Sequence, residues 1–189
     1  RLSYVGELGY ELYVEFKDAK KIYKLIVDVG KNFNLSNCGM HTMDIMRMES
    51  GFLHWGHDIS PQENQYEAGL NFLISLKKNF DFIGKESLLK IKNKKLNKRF
   101  IMLFLKKSKP GEPLILHDEP IYLDNKIIGV TTSGNYSFNF NKNLSFGYIK
   151  SDYSNLELSK KNLFIEIEKI KYPAEVLLNP LKQTDFKKM

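Results

Sequence analysis

Apolar and polar positions alternate through residues 1–16 on either side of Gly6-Glu7-Leu8-Gly9, the pattern of two short strands joined by a tight turn. The period then changes. Ile22, Leu25, Ile26 and Val29 recur three and four residues apart between Ala19 and Phe33, which predicts an amphipathic helix, capped by Asp18 and laid over the hairpin. A second helix is expected from about Met40 to Ser50, with Gly51 ending it in the left-handed conformation that glycine adopts most easily. The loop His54-Trp55-Gly56-His57-Asp58 follows. Leu70 to Leu76 reads as a strand, and Gly84 to Lys92 as a short helix turning Leu88, Leu89 and Ile91 inward.

Beyond Asn97 the chain becomes a series of strand-like runs: Arg99 to Leu105, Pro120 to Leu123, Lys126 to Thr132, Leu144 to Ile149, Leu163 to Ile167 and Tyr172 to Leu178. Turn signals such as Asp124-Asn125 and Ser133-Gly134 separate them. Strands of this length and spacing predict a small antiparallel barrel or sandwich. The fold class is therefore α+β, divided near Lys95 into an α+β part over residues 1–95 and an all-β domain over residues 96–189.

Composition narrows the functional classes. With 189 residues and 42% hydrophobic positions the chain can bury a core, yet its longest apolar runs are strand-sized and no membrane span is expected. It opens Arg1-Leu2-Ser3-Tyr4-Val5, with neither an initiator methionine nor the features of a signal peptide, and reads as the middle of a strand. The N-terminal remainder of a longer parent chain is thus an expected partner. A single cysteine, Cys38, excludes an internal disulfide and makes a cytoplasmic, reducing setting the default. The net charge of +7 is almost wholly lysine, since Arg1, Arg47 and Arg99 are the only arginines. Lysine adds a diffuse positive field, whereas reading base edges relies on arginine's planar fork. The basic stretch Lys85, Lys90, Lys92, Lys94, Lys95, Lys98, Arg99 has no interleaved aromatic until Phe100, so a solvated face rather than a nucleic-acid surface is expected.

If the hairpin loop is Glu7-Leu8, Tyr4 lies directly across from Glu11 on one face, with Cβ atoms about 5 Å apart. A carboxylate accepts two parallel hydrogen bonds from adjacent N–H groups, as an aminopyrimidinone edge offers, and a tyrosine ring packs beside a heterocycle. An exposed strand carrying an ordinary Tyr and Glu has the same spacing. His54 and His57 flank Gly56 in a loop, with no third ligand at motif-like spacing, so no metal is expected. Loop ordering is the reading there, with Trp55 burying its ring and His57 or Asp58 bonding to backbone. Gly6-Glu7-Leu8-Gly9 lacks the third glycine and the following helix of a dinucleotide fingerprint.

Arg1-Leu-Ser-Tyr-Val-Gly-Glu-Leu-Gly-Tyr-Glu-Leu resembles the glycine-rich hairpin of the glycine-cleavage T-protein superfamily. Met43-Asp-Ile-Met-Arg-Met-Glu-Ser-Gly-Phe-Leu-His-Trp-Gly-His-Asp-Ile resembles the helix and loop that follow in that family. Tyr66-Glu-Ala-Gly-Leu-Asn-Phe, Asp81-Phe-Ile-Gly-Lys, Val130-Thr-Thr-Ser-Gly and Tyr172-Pro-Ala-Glu-Val-Leu come later in the family's order. The flavour is that of the folate domain of dimethylglycine and sarcosine dehydrogenases and oxidases. The resemblance implies a T-protein-like α+β subdomain followed by a small antiparallel β-barrel. It matches Tyr4 and Glu11 to a pterin-contacting tyrosine and glutamate. Phe72 falls where the T-protein has a tryptophan near the folate, and Met43 where it has an arginine suited to an anionic folate group. Arg47 matches the helix's second arginine and is expected to pair with a nearby carboxylate as a structural element. The family's aspartate beside the reactive folate nitrogen belongs to the half preceding the hairpin, so no catalytic residue is expected in this chain.

The implied function is the tetrahydrofolate-binding C-terminal part of an N-methyl-amine demethylating enzyme of the dimethylglycine or sarcosine type. FAD is expected in the parent chain only. Two alternatives remain: a glycine-cleavage aminomethyltransferase-like or other folate-dependent demethylase without flavin, and a non-catalytic folate-binding or interaction module.

Overall fold

The computed structural model describes residues 3–182. Its elements run α1 (Phe16–Gly30), α2 (Met40–Glu49), α3 (Lys85–Lys92), β1 (Lys98–Leu105), β2 (Pro120–Leu123), β3 (Lys126–Ser137), β4 (Lys142–Lys150), α4 (Asn155–Lys160), β5 (Leu163–Ile167) and β6 (Ile170–Leu177). The six strands close into an antiparallel barrel in the order β1-β4-β3-β2-β5-β6, with β6 returning to β1.

Barrel closure follows from alternation. Along β1, Ile101, Leu103 and Leu105 point inward, where they meet Ile121, Leu123, Ile128, Leu163, Ile165 and Ile167 in one core cluster. Side chains from all walls fill a barrel this narrow. The opposite face of β1 is also apolar, because Phe100, Met102 and Phe104 join Leu144 and Phe146 outside the barrel, under Ile45 and Met48 of α2. A strand covered on both faces reads as a continuous apolar run, which is how Phe100 to Leu105 stands in the sequence. The helix α2 thereby lies on the outer surface of β3 and β4.

Close approach at the β3–β4 pairing requires glycine. A Cβ on Gly129 would collide with the Tyr148 carbonyl and with Ile149, and one on Gly147 would collide with the Val130 carbonyl. Gly51, at φ 74°, ends α2 in the left-handed conformation, as its position in the sequence predicts.

The structure departs from the sequence reading in several elements, among them α3, where Leu89 is exposed rather than turned inward. Residues 3–15 contain no strand: Ser3 closes a local turn by donating from Oγ to the Glu7 carbonyl (2.7 Å) and accepting from the Glu7 N–H (3.0 Å). Arg1 and Leu2 lie outside the described residues. A two-stranded ribbon has marginal stability unless a further strand or a packed face supports it, and Leu8, Tyr10, Leu12, Tyr13 and Val14 are all exposed. The helix α1 starts at Phe16 with Glu15 as its N-cap, which moves Asp18 into the first turn, and none of its residues is buried. Asn71–Leu73 is a short 3-10 turn rather than a strand. Ser133-Gly134 is a bulged continuation of β3 rather than a turn. The helix α4, closed by a reciprocal Ser154–Glu157 capping box, is an addition to the expected elements; it brings Leu158 into the barrel core.

Candidate functional site

At the junction of α2 with β3, Arg47 is 1% exposed despite its charge. Its guanidinium donates to the Asp44 carboxylate (2.9 Å), the Phe52 carbonyl (3.1 Å), Ser133 Oγ (2.8 Å) and the Asp58 carboxylate. Asp58, itself buried, also accepts from Thr132 Oγ1 (2.5 Å), Ser133 Oγ (2.8 Å) and the His54 backbone N–H (2.9 Å). A buried pair is tolerated only where geometry and further hydrogen bonds answer both charges, and this network does so. The expected pairing of Arg47 with a nearby carboxylate is present, to both Asp44 and Asp58. A neighbouring contact ties the same helix to the end of β3: Glu49 accepts from Ser137 Oγ (2.5 Å) and Asn139 Nδ2 (3.0 Å).

The network forms the floor of a cleft of about 280 Å³ whose walls include Tyr4, Met43, Asp44, His54, Thr132 and Gly134. Tyr4 is half-buried, with its ring edge-on to His54 at a centroid separation of 6.1 Å. Burial raises its hydroxyl pKa above the usual phenol value; Arg47 lowers it in part, and Asp44 and Asp58 raise it further. The phenol therefore stays protonated at neutral pH and has a proton available to donate. Asp44 is only partly exposed, and with one oxygen held by Arg47 and the other by Asn135 Nδ2 (3.2 Å) its carboxylate is fixed in orientation.

Of the three residues singled out for ligand contact, the structure brings Tyr4 alone to this cleft. Glu11 lies on the exposed segment before α1, its carboxylate accepting from the Tyr13 hydroxyl at 2.6 Å. Phe72 sits on the 3-10 turn and is 76% exposed. Neither lines the cleft. The cross-strand Tyr4–Glu11 pair is absent because the ladder that would create it does not form. Trp55, expected to bury its ring, is 65% exposed; Asp58 rather than Trp55 orders the loop. Sequence reasoning missed Asp44, Thr132 and Ser133 as site-forming residues. A carboxylate three positions before Arg47 on one helix face was the legible signal for the first.

A second cleft of about 600 Å³ lies on the far side of the Asp58 loop, lined in part by His57, Glu63, Lys98 and Tyr148. Burial pushes the Glu63 carboxyl up, but hydrogen bonds from Lys98 and Ser60 outweigh it and hold it below the usual carboxylate range. Among the described residues no group of three His, Cys, Asp or Glu could hold a metal, and no helix is long and apolar enough to cross a membrane.

Comparison with known proteins gives this geometry a context. Residues 1–78 match the family described as the GCVT N-terminal domain, and residues 98–182 match the glycine cleavage T-protein C-terminal barrel domain. Human mitochondrial dimethylglycine dehydrogenase is 35% identical over 98% of this chain, which spans 21% of that enzyme's length. A 4-methylaminobutanoate oxidase (formaldehyde-forming) of Paenarthrobacter nicotinovorans is 34% identical over 95% of the chain and 21% of its own length. An aminomethyltransferase of Listeria welshimeri is 33% identical over 95% of the chain and 47% of its own length. The crystal structure of aminomethyltransferase T of the glycine cleavage system from Bartonella henselae superposes with a TM-score of 0.78 at 21% identity, over 96% of this chain and 48% of that one. The chain thus spans about a fifth of the dehydrogenases and about half of the aminomethyltransferases it matches. With both family domains in sequence and the same fold, the chain belongs to the glycine-cleavage T-protein superfamily.

Proposed function

We propose that this chain is the tetrahydrofolate-binding C-terminal part of an N-methyl-amine demethylating enzyme that passes a one-carbon unit to tetrahydrofolate. The observation that carries the reading is the position of Tyr4, the residue matched to a pterin contact, on the wall of the cleft floored by the Arg47–Asp58 network. The 35% identity with dimethylglycine dehydrogenase over 98% of this chain supports the N-methyl-amine class of parent enzyme. The cleft suits a flat heterocycle: it offers ring surface from Tyr4 and His54, a phenol donor, and a fixed carboxylate in Asp44. Bound tetrahydrofolate would supply the nucleophilic nitrogen that captures the carbon released by amine oxidation.

In this reading the chain's own residues bind, orient and exclude water, which gains rate by holding nucleophile and electrophile together. Glu11, which the resemblance matches to a pterin contact, lies outside the cleft in this chain; in this reading it joins the slot only with the remainder of the parent chain in place. That remainder is assigned to the exposed apolar face formed by Leu25, Ile26 and Val29 of α1 with Leu12 and Val14 before it. The proposed boundary between the two parts lies near residue 95, just ahead of β1. FAD belongs to the parent chain, where it accepts the electrons of amine oxidation. One exposed cysteine, Cys38, accords with a reducing compartment such as the cytoplasm.

The Listeria match favours a second reading, an aminomethyltransferase-like enzyme without flavin. Purifying the full-length protein separates the two, because only the first predicts a bound flavin with its visible absorption. The folate role is tested by replacing Glu11 with Gln in the full-length enzyme. Loss of a hydrogen bond to a charged acceptor is worth about 1.5–3 kcal/mol, so the tetrahydrofolate Kd should rise about tenfold or more. The released carbon should then shift from methylene-tetrahydrofolate toward free formaldehyde. An unchanged Kd and product ratio would remove Glu11 from the site.

A further inference from the structure

All four histidines of the chain, His41, His54, His57 and His117, line the cleft that holds Tyr4. His41, the His54–His57 loop and His117 are far apart in sequence, so the fold gathers them. Two of them are in ring contact: His54 and His57 lie 4.5 Å apart at 38°, and His54 also meets Tyr4 edge-on. No metal-holding group is formed among the described residues, so ligation of an ion does not account for the cluster.

The charges around the cleft decide what these rings suit. Among the described residues that line it, Arg47 alone carries a permanent positive charge, and Asp44, Asp58, Ser133 and the Phe52 carbonyl take up its donors. Two carboxylates answer one guanidinium, so the lining offers an anionic ligand group no net positive charge. A neutral planar ligand with both donors and acceptors on its edge meets no such obstacle. Each neutral imidazole offers one N–H donor, one acceptor nitrogen and a flat face, the complement of an amide-bearing nitrogen heterocycle. The loop is preorganised for that contact, because the His54 backbone N–H is bonded to Asp58, and Asp58 is in turn locked by Arg47, Thr132 and Ser133. A contact held in place before binding loses less to ordering when the ligand arrives.

We propose that His54, seated on the ring of His57, is a specificity-determining residue that holds the heterocyclic edge of the ligand against Tyr4. The assignment rests on the folate reading above and adds a residue to it. In that reading His54, not the distant Phe72, supplies the second aromatic surface, beside Tyr4 and edge-on to it.

Calorimetric titration of the full-length enzyme with 5-formyltetrahydrofolate, a chemically stable reduced folate, tests it. His54→Leu, which removes both ring and nitrogens, should weaken binding about tenfold, the scale of one lost hydrogen bond with its packing. His54→Phe keeps the ring alone and should recover part of that loss, while Leu156→Ala, exposed on α4 and absent from the cleft lining, should change affinity less than about twofold. The unfolding midpoint of the unliganded variants should stay at the wild-type value. Equal affinities for wild type and His54→Leu overturn the assignment and leave the folate reading standing. A loss of affinity matched by a fallen midpoint makes His54 structural and also overturns it. Absence of binding by the wild-type enzyme overturns the folate reading and this inference together.

Discussion

Replacing Arg47 by leucine should lower the free energy of unfolding by about 3–5 kcal/mol, the usual penalty for removing one partner of a buried ion pair. The substitution preserves much of the packing over the Phe146 ring, where the guanidinium carbon lies 5.3 Å from the centroid. What remains is the Asp58 carboxylate, buried and answered only by Thr132, Ser133 and a backbone N–H. Total stability of a domain is about 5–15 kcal/mol, so a loss of this size removes a substantial share of it. Urea unfolding measures it. The double variant Arg47→Leu with Asp58→Asn should be more stable than Arg47→Leu alone, because the second change removes the stranded charge. A double variant no better than the single one would mean that the pair contributes through packing rather than charge. Because Asp58 also orders the His54 loop, the single variant should lose affinity for reduced folate even under conditions where it stays folded.

Gly129→Ala should cost about 3 kcal/mol or more, at or beyond the upper end of ordinary overpacking. The added methyl meets the Tyr148 carbonyl oxygen and the Ile149 Cα on the paired strand. Both are backbone atoms, so no rotamer change can make room. Gly129 pairs with Ile149 in the β3–β4 ladder, and relief requires parting two strands of a closed barrel. Gly9→Ala is the matched control: nothing lies within 4 Å of its added Cβ, and its effect should stay within about 0.5 kcal/mol. Thermal or urea unfolding of the two variants side by side checks the contrast. Similar stabilities would mean that β3 and β4 yield at this pairing, and that close strand approach is not what requires glycine at position 129.

The barrel strands were legible because each carries its own signal. Pro120–Leu123 and Leu163–Ile167 end where the alternation ends, and Asp124, with φ 53°, makes the turn its sequence suggests. Likewise Met40–Glu49 and Gly51 announce a helix and its stop. The failures share a cause. Ser133-Gly134 looks like a turn, yet Gly134 is needed in β3 because Ile115 packs where its Cβ would be. Residues 3–15 and 70–76 have strand-like patterns, but a strand exists only against a partner, and a pattern does not name one. The capping box at Ser154 and Glu157 was a readable local signal that the strand-rich context obscured.

From the amino acids alone came the α+β class, the six barrel strands, the family resemblance, and the pairing of Arg47 with a nearby carboxylate. Those features depend on periodicity and on short motifs, which neighbouring residues encode by themselves. Only the tertiary structure decided that Ser133, 86 positions from Arg47, completes its hydrogen bonds, that four scattered histidines share Tyr4's cleft, and that Glu11 and Phe72 stand outside it. Such contacts are set by how a helix seats on a closed barrel, and that seating depends on the packing of Ile45 and Met48 over β4, far from the groups it brings together.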